Sequence, residues 1–192
     1  IALVEKGKPV FGMINSVCDG EILWAFASGE KGIVKKGKEE ALSGIGEKSS
    51  KLRVAVSRFH ITEWELRYVD YLKSLGHDVE LVPLGASSKH CLLAKGEVDI
   101  CPKFGKCSEW DVAAGQVLVE ATGGCVVNAE TGGEVRYNKQ NMISPPFVMF
   151  GKRVYDEIKE GNKTFLDFKA KSVVKNDYLG ARRNEIKKQD IM

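Results

Sequence analysis

No Cys-x-x-Cys pair occurs in this sequence, and its five cysteines, Cys18, Cys91, Cys101, Cys107 and Cys125, form an odd, scattered set. That pattern argues against a disulfide framework and against a structural zinc site, and leaves reduced thiols in a cytoplasmic protein as the simpler expectation. No apolar run approaches the ~20 residues needed to cross a bilayer, and no signal-peptide pattern is visible, so no membrane partner is expected. An excess of one charge is also lacking. The 29 Lys and Arg against 26 Asp and Glu leave a net charge of +3, which makes no case for a nucleic-acid polymer. The chain does not begin with Met, and Ile1 already stands in an apparent strand, which predicts a piece of a longer protein.

What is present is the composition of a folded domain. A chain of 192 residues with 43% hydrophobic and 29% charged residues can bury a substantial core. Residues 1–50 read as short strands and turns: Ile1–Val4, a turn at Lys6-Gly7-Lys8, Val10–Ile14, Ile22–Phe26, a turn over Gly29–Gly32, then Ile33-Val34. Short spacers predict an antiparallel meander, and runs that do not alternate with polar residues predict cover on both of its faces. Gly44–Lys51 reads as a loop and as the boundary to a second part.

Residues 51–151 change to alternating strands and helices. Leu52–Ser57 is a strand, and Thr62-Glu63-Trp64-Glu65 is a capping box that opens a helix running to Leu75, with Gly76 as its stop. Val79–Val82 is a strand, Gly85–Ser88 opens a shorter helix stopped by Gly96, and Val98–Cys101 is a strand ended by Pro102. Strands are also expected at Cys125–Val127, Val135–Tyr137 and Phe147–Phe150. The fold class is therefore α/β: an antiparallel sheet followed by a half with a parallel or mixed sheet covered on its faces. Residues 152–192 are Lys-rich with interspersed acids and read as a solvated, weakly helical or disordered tail.

Between these elements lies Glu109–Gly124, a helix with Val112, Gly115/Gln116 and Val119 on one face and Gly123-Gly124 as its end. Asp111 is expected at or near its N-cap, where an acid is first of all a good cap. In open α/β sheets, however, ligands bind beyond the carboxyl ends of strands, in loops that lead into helices. Those loops here hold Ser57, Arg58 and His60, then Gly85, Ser87 and Lys89, then Lys103, then Asp111. Singly, each also reads as a surface turn, a loop histidine, a cap or a solvated strand end. Together, hydroxyls, cations and one acid beside helix N-termini point to a phosphate-bearing ligand with a metal.

Trp110-Asp111-Val112-Ala113-Ala114-Gly115, followed by Glu120-Ala121-Thr122-Gly123-Gly124, resembles the second signature of the inositol monophosphatase superfamily of metal-dependent phosphatases. Within it, Ser57-Arg58-Phe59-His60, the Gly85–Lys89 loop and Cys101-Pro102-Lys103-Phe104-Gly105 are similar to the 3′(2′),5′-bisphosphate nucleotidase branch. The similarity runs from Ile1 to about Gly151. It implies a layered α/β sugar-phosphatase-type fold. It also implies that Asp111 ligates a catalytic Mg²⁺, that Ser57 and His60 contact a nucleotide, and that Lys89 and Lys103 lie near its non-reacting phosphate, with the Gly85–Ser87 loop backbone beside them. The implied reaction is hydrolysis of adenosine 3′,5′-bisphosphate to AMP and phosphate through a metal-activated water. Inositol or sugar monophosphatase activity is one alternative, and a non-catalytic nucleotide-binding module is another.

The superfamily's first signature, Asp-Pro-x-Asp-Gly-Thr, and its upstream Glu are absent. Asp19-Gly20, the one Asp-Gly, lacks the preceding Asp-Pro and reads as a hairpin turn. A two-metal site needs several carboxylates to offset the repulsion of ions roughly 3.5–4 Å apart. The expectation is a chain that is inactive alone, with no catalytic residue of its own, and that requires an upstream half of its parent.

Overall fold

The computed structural model describes residues 1–85 and 87–168. Strands β1 (Ala2–Glu5), β2 (Lys8–Ser16), β3 (Glu21–Phe26), β4 (Lys31–Lys35) and β5 (Lys38–Glu40) form the expected antiparallel meander in sequence order. The chain continues through β6 (Leu52–Ser57), α1 (Glu63–Ser74), β7 (Val79–Leu84), α2 (Ser88–Lys95), β8 (Ile100–Lys103), β9 (Cys107–Ser108) and α3 (Glu109–Ala121). It then forms β10 (Cys125–Asn128), β11 (Ile143–Ser144), β12 (Phe147–Phe150) and α4 (Lys152–Lys159). The second large sheet is mixed, in the order β10-β12-β8-β6-β7: β6 runs parallel to β7 and β8, while β12 runs antiparallel to β8 and β10.

Alternation along these strands sorts side chains into layers. Leu23, Ala25 and Ile33 of the meander meet Cys91 and Ala94 of α2 and Val117 and Leu118 of α3. The other side of that helix pair, Leu93, Val112 and Val119, meets Ala55, Cys101, Phe147 and Met149 of the mixed sheet. On that sheet's far face, Val54, Val56, Ile100, Val148 and Phe150 pack against Tyr68, Val69 and Leu72 of α1 and Val154 and Ile158 of α4. The result is a stack of sheet, helix pair, sheet, helix pair, and the neighbours of every central layer explain its near-continuous apolar sequence.

Helix α3 reaches both neighbours through missing side chains. A Cβ on Gly12 of β2 would lie 2.4 Å from the Ala114 carbonyl oxygen, and one on Gly115 would lie 2.2 Å from Nδ1 of His90 on α2.

Several expectations are corrected. The meander is covered on one face only among the described residues: Leu3 and Phe26 are 60% and 45% exposed on the other. Its apolar outer residues shelter one another instead, with the Phe11 and Phe26 rings 4.8 Å apart. Pro102 lies inside β8 rather than ending it. Pairing of β8 with β6 is confined to Val54–Ile100, so the missing N–H at Pro102 breaks no ladder bond there. Val135–Tyr137 is not a strand, because β10 pairs with β12; Val135 and Tyr137 are buried, and the Tyr137 N–H donates to Gly7 O at 3.0 Å.

Residues 152–168 are part of the packed structure rather than a solvated tail. Val154 and Ile158, one helical turn apart, turn α4 onto the sheet, and Phe165 is buried beneath hydrogen bonds from Tyr68 Oη to its carbonyl (3.2 Å) and from Tyr71 Oη to Thr164 O (2.7 Å). The rest of the expected tail, 169–192, lies outside the described residues.

Candidate functional site

The loops at the carboxyl ends of β6 and β8 and the starts of α2 and α3 converge on a cavity of about 250 Å³. Ser57, His60, Ser87, Lys89, Lys103 and Asp111 all line it, so the structure brings together six of the seven residues singled out from the sequence. Gly85 is outside that lining. Phe147, His90, Cys101, Lys106 and Cys107 complete the wall.

Local chemistry sets each position. Ser57 ends β6, and its Oγ accepts the His60 N–H at 3.0 Å, which turns the chain tightly enough to bring His60 to the rim. Ser87 is the residue before α2, so Lys89 stands in the first turn of that helix, only 7% exposed. The expected capping box at Thr62 forms, the Thr62 N–H donating to Glu65 Oε2 at 2.8 Å. Glu65 does more than cap α1. Its other oxygen accepts the N–H groups of Phe104 (2.9 Å) and Gly105 (3.2 Å), so a buried carboxylate ties down the loop that follows Lys103. Sequence spacing identifies the cap, but the second set of partners lies 39 and 40 residues away and has no local signal.

Asp111 is not the N-cap. Ser108 holds that position and Asp111 is the third helical residue, in a capping box whose reciprocal bond runs from the Ser108 N–H to Asp111 Oδ2 at 3.2 Å. Asp111 therefore lies near the cap but not at it, because β9 pairs with β11 through Ser108 and extends the strand up to the cap. Cys107 Sγ lies 3.8 Å from the same carboxylate oxygen. Burial first, and the Asp111 charge second, push this thiol up to about 11, so it faces Asp111 as a neutral S–H.

Three lysines and one carboxylate give the cavity a positive balance suited to an anion. The metal side is less complete. An aspartate is the right ligand type for a hard cation, but one carboxylate with a protonated thiol beside it is too few. Among the described residues no group of three or more His, Cys, Asp or Glu side chains is placed to hold a metal. The residues present therefore do not by themselves fit the two-metal centre that the second signature implies.

His90 was not anticipated from the sequence. It is 5% exposed, and its Nδ1 is the one fully buried side-chain nitrogen or oxygen without a hydrogen-bond partner among the described residues. Burial, reinforced by the Lys89 charge, pushes its pKa down to about 3, so the ring is neutral.

Comparison with known proteins sets this site in context. The sequence profile described as the Inositol monophosphatase family matches residues 1–160, which takes the family pattern past Gly151 and through α4. The 3′(2′),5′-bisphosphate nucleotidase CysQ of Buchnera aphidicola subsp. Acyrthosiphon pisum is 31% identical over 144 residues, covering 75% of this chain and 52% of that protein. CysQ of Salmonella typhimurium is 36% identical over 129 residues, covering 64% and 47%. The chain thus spans about half the length of the curated relatives it matches. Among solved structures, CysQ from Bacteroides thetaiotaomicron superposes with a TM-score of 0.72 at 30% identity, covering 79% of this chain and 61% of that one. Mycobacterium tuberculosis SuhB shares the fold, with a TM-score of 0.62 at 17% identity, over 86% and 64%.

Proposed function

This chain belongs to the inositol monophosphatase family of metal-dependent phosphatases, and we propose that it forms the anion-binding wall of a bisphosphate nucleotidase site. The observation that carries this reading is the convergence of Lys89, Lys103 and Lys106 with Ser57, His60 and Asp111 on one cavity. Charge-assisted hydrogen bonds of this kind contribute about 1.5–3 kcal/mol each. A bisphosphate nucleotide uses more such cations than a monophosphate, and three lysines with a hydroxyl and an imidazole at the rim suit adenosine 3′,5′-bisphosphate. The similarity to CysQ proteins supports the same substrate class.

In this reading Lys89 and Lys103 hold the phosphate that is not cleaved, and His60 and Ser57 orient the nucleoside at the rim. Asp111 offers one oxygen ligand to a Mg²⁺ ion, which would supply charge neutralisation at the phosphate being hydrolysed. Hydrolysis requires further carboxylates beyond Asp111, supplied by another segment of the parent chain or by a separate polypeptide. The 192-residue chain alone therefore binds nucleotide without turning it over. Its expected compartment is the cytoplasm, supported by five unpaired cysteines.

Calorimetric titration with adenosine 3′,5′-bisphosphate, AMP and inositol 1-phosphate tests the reading, together with a phosphate-release assay in Mg²⁺. Tighter binding of the bisphosphate with no release is expected. Preference for inositol phosphate would favour an inositol or sugar monophosphatase wall, binding indifferent to Mg²⁺ would favour a non-catalytic nucleotide module, and turnover by the chain alone would overturn the claim of inactivity.

A further inference from the structure

His90 combines features that packing alone does not explain. A residue whose role is to fill the space over Gly115 needs no nitrogen, and an aliphatic or phenyl ring there would leave no buried polar atom unpaired. Yet Nδ1 is buried without a partner, which is unfavourable for a polar atom. The ring also lines the cavity that holds Lys89 and Lys103.

The contact with α3 fixes how the ring is presented. The position that a Cβ on Gly115 would take lies 2.2 Å from Nδ1, 2.5 Å from Cγ and 2.7 Å from the His90 Cβ. In glycine that direction is occupied by a Cα–H, so a Cα–H of Gly115 points at Nδ1. Such a group can offer a weak hydrogen bond to a lone pair but cannot accept one from an N–H. Nδ1 is therefore the unprotonated nitrogen, and in a neutral imidazole the proton then resides on Nε2. The Cβ, Cγ and Nδ1 side is seated on α3, which leaves Nε2 as the ring nitrogen not packed against Gly115 in a residue that lines the cavity. Among the charged walls there, the lysines outnumber the single acid, Asp111, so the group that fills the cavity carries negative oxygens.

We propose that His90 is a ligand-binding residue of this cavity: it donates from Nε2 to a phosphate oxygen of the bound anion while its Nδ1 edge serves as the packing surface for α3. The proposal rests on the reading of the cavity as a phosphate site. It assigns the close approach of His90 to Gly115 a purpose: the missing side chain on α3 makes room for a neutral donor in a wall that already carries Lys89, Lys103 and Lys106. A neutral donor adds a directional bond there without adding charge.

The test uses the 192-residue chain labelled with ¹⁵N-histidine, whose three histidines are assigned by single substitution. It is titrated with adenosine 3′,5′-bisphosphate and, separately, with inorganic phosphate, while calorimetry compares it with His90→Phe, which keeps a ring over Gly115. The free chain is expected to show His90 as the Nε2–H tautomer, with Nε2 shifting on ligand addition and Nδ1 nearly unmoved. His90→Phe is expected to lose roughly 10- to 100-fold in affinity, the range of a hydrogen bond to a charged group. Ligand binding to the unsubstituted chain with an unmoved Nε2 resonance, or with unchanged affinity in His90→Phe, overturns this proposal alone. Failure of the unsubstituted chain to bind either ligand overturns the phosphate-site reading and this proposal with it. If His90→Phe does not fold, the resonance shift in the unsubstituted chain decides.

Discussion

The Ser108 N–H donates to Asp111 Oδ2 across 3.2 Å, so the one acidic side chain that lines the cavity among the described residues is also the acid that closes the capping box of α3. Structure and chemistry therefore draw on one carboxylate, and the two uses separate by substitution. Asp111→Ala is expected to lower stability by up to about 1 kcal/mol through the lost reciprocal bond of the capping box, and Asp111→Asn by less, since the amide oxygen still accepts. Both should abolish any Mg²⁺-dependent gain in nucleotide affinity. Urea midpoints and calorimetry with and without Mg²⁺ separate the effects, and a Mg²⁺-dependent gain surviving in Asp111→Asn would remove Asp111 as a ligand.

Lys89 and Lys103 approach the cavity from α2 and β8 respectively. Lys89→Gln and Lys103→Gln are each expected to weaken binding of adenosine 3′,5′-bisphosphate and of AMP by a similar factor, about 10- to 100-fold, because the uncleaved phosphate they hold is common to both. A loss confined to the bisphosphate would place these lysines on the phosphate that is cleaved instead.

Sheet and helix approach closely at Gly12, where a Cβ would meet the Ala114 carbonyl at 2.4 Å. Backbone on both sides leaves nothing flexible to yield. Gly12→Ala is expected to cost about 1–3 kcal/mol by forcing the meander off α3. A denaturant midpoint unchanged from the parent chain would contradict that packing.

Glu109, 3% exposed at the start of α3, accepts the Asn138 N–H at 2.6 Å and the Lys139 N–H at 3.3 Å and pairs with the Lys139 ammonium. Burial alone would push its carboxyl up, but the Lys139 and backbone hydrogen bonds outweigh it and hold the carboxyl below its ordinary value of 4.5. A depressed folded-state pKa stabilises above the unfolded value and is lost as pH falls through the folded one. Glu109→Gln is therefore expected to melt lower at pH 7 yet lose less stability than the parent between pH 4.5 and more acidic conditions, as followed by thermal midpoints. Parallel midpoint curves for the two proteins would refute this.

The thiols give a further check on burial. Burial pushes Cys91 and Cys125 up to about 12 and Cys101 and Cys107 up to about 11, whereas Cys18 is exposed on the β2–β3 turn. Alkylation at pH 8 should modify Cys18 quickly and the others only on unfolding, as read by mass spectrometry. Rapid modification of Cys107 would mean that the cavity wall beside Asp111 opens.

Much of the architecture is legible locally. The Thr62–Glu65 box, the glycine stops at Gly76, Gly96 and Gly123 and the short-turn meander each depend on residues within a few positions of one another, so pattern and spacing suffice. The site residues are legible for a related reason: strand ends that lead into helices carry ligands in α/β sheets, and Ser57, Lys89, Lys103 and Asp111 all occupy such ends. The errors fall where remote segments decide. Val135–Tyr137 has strand composition but meets the Gly7 turn instead of a ladder, and the charges of α4 obscure the Val154/Ile158 pair that only a sheet beneath it makes significant.

The sequence by itself determined the type of most elements, the family resemblance, and the absence of the first metal-binding signature from this chain, because each follows from residue type and spacing along the chain. Only the tertiary structure decided that Ser108 is the cap with Asp111 as the third residue of the helix, and that Glu65 fastens the Phe104-Gly105 loop. It also decided that His90 enters the cavity over Gly115. Those relationships join atoms brought together by layer packing, which burial and close contact fix and which no periodicity along the chain encodes.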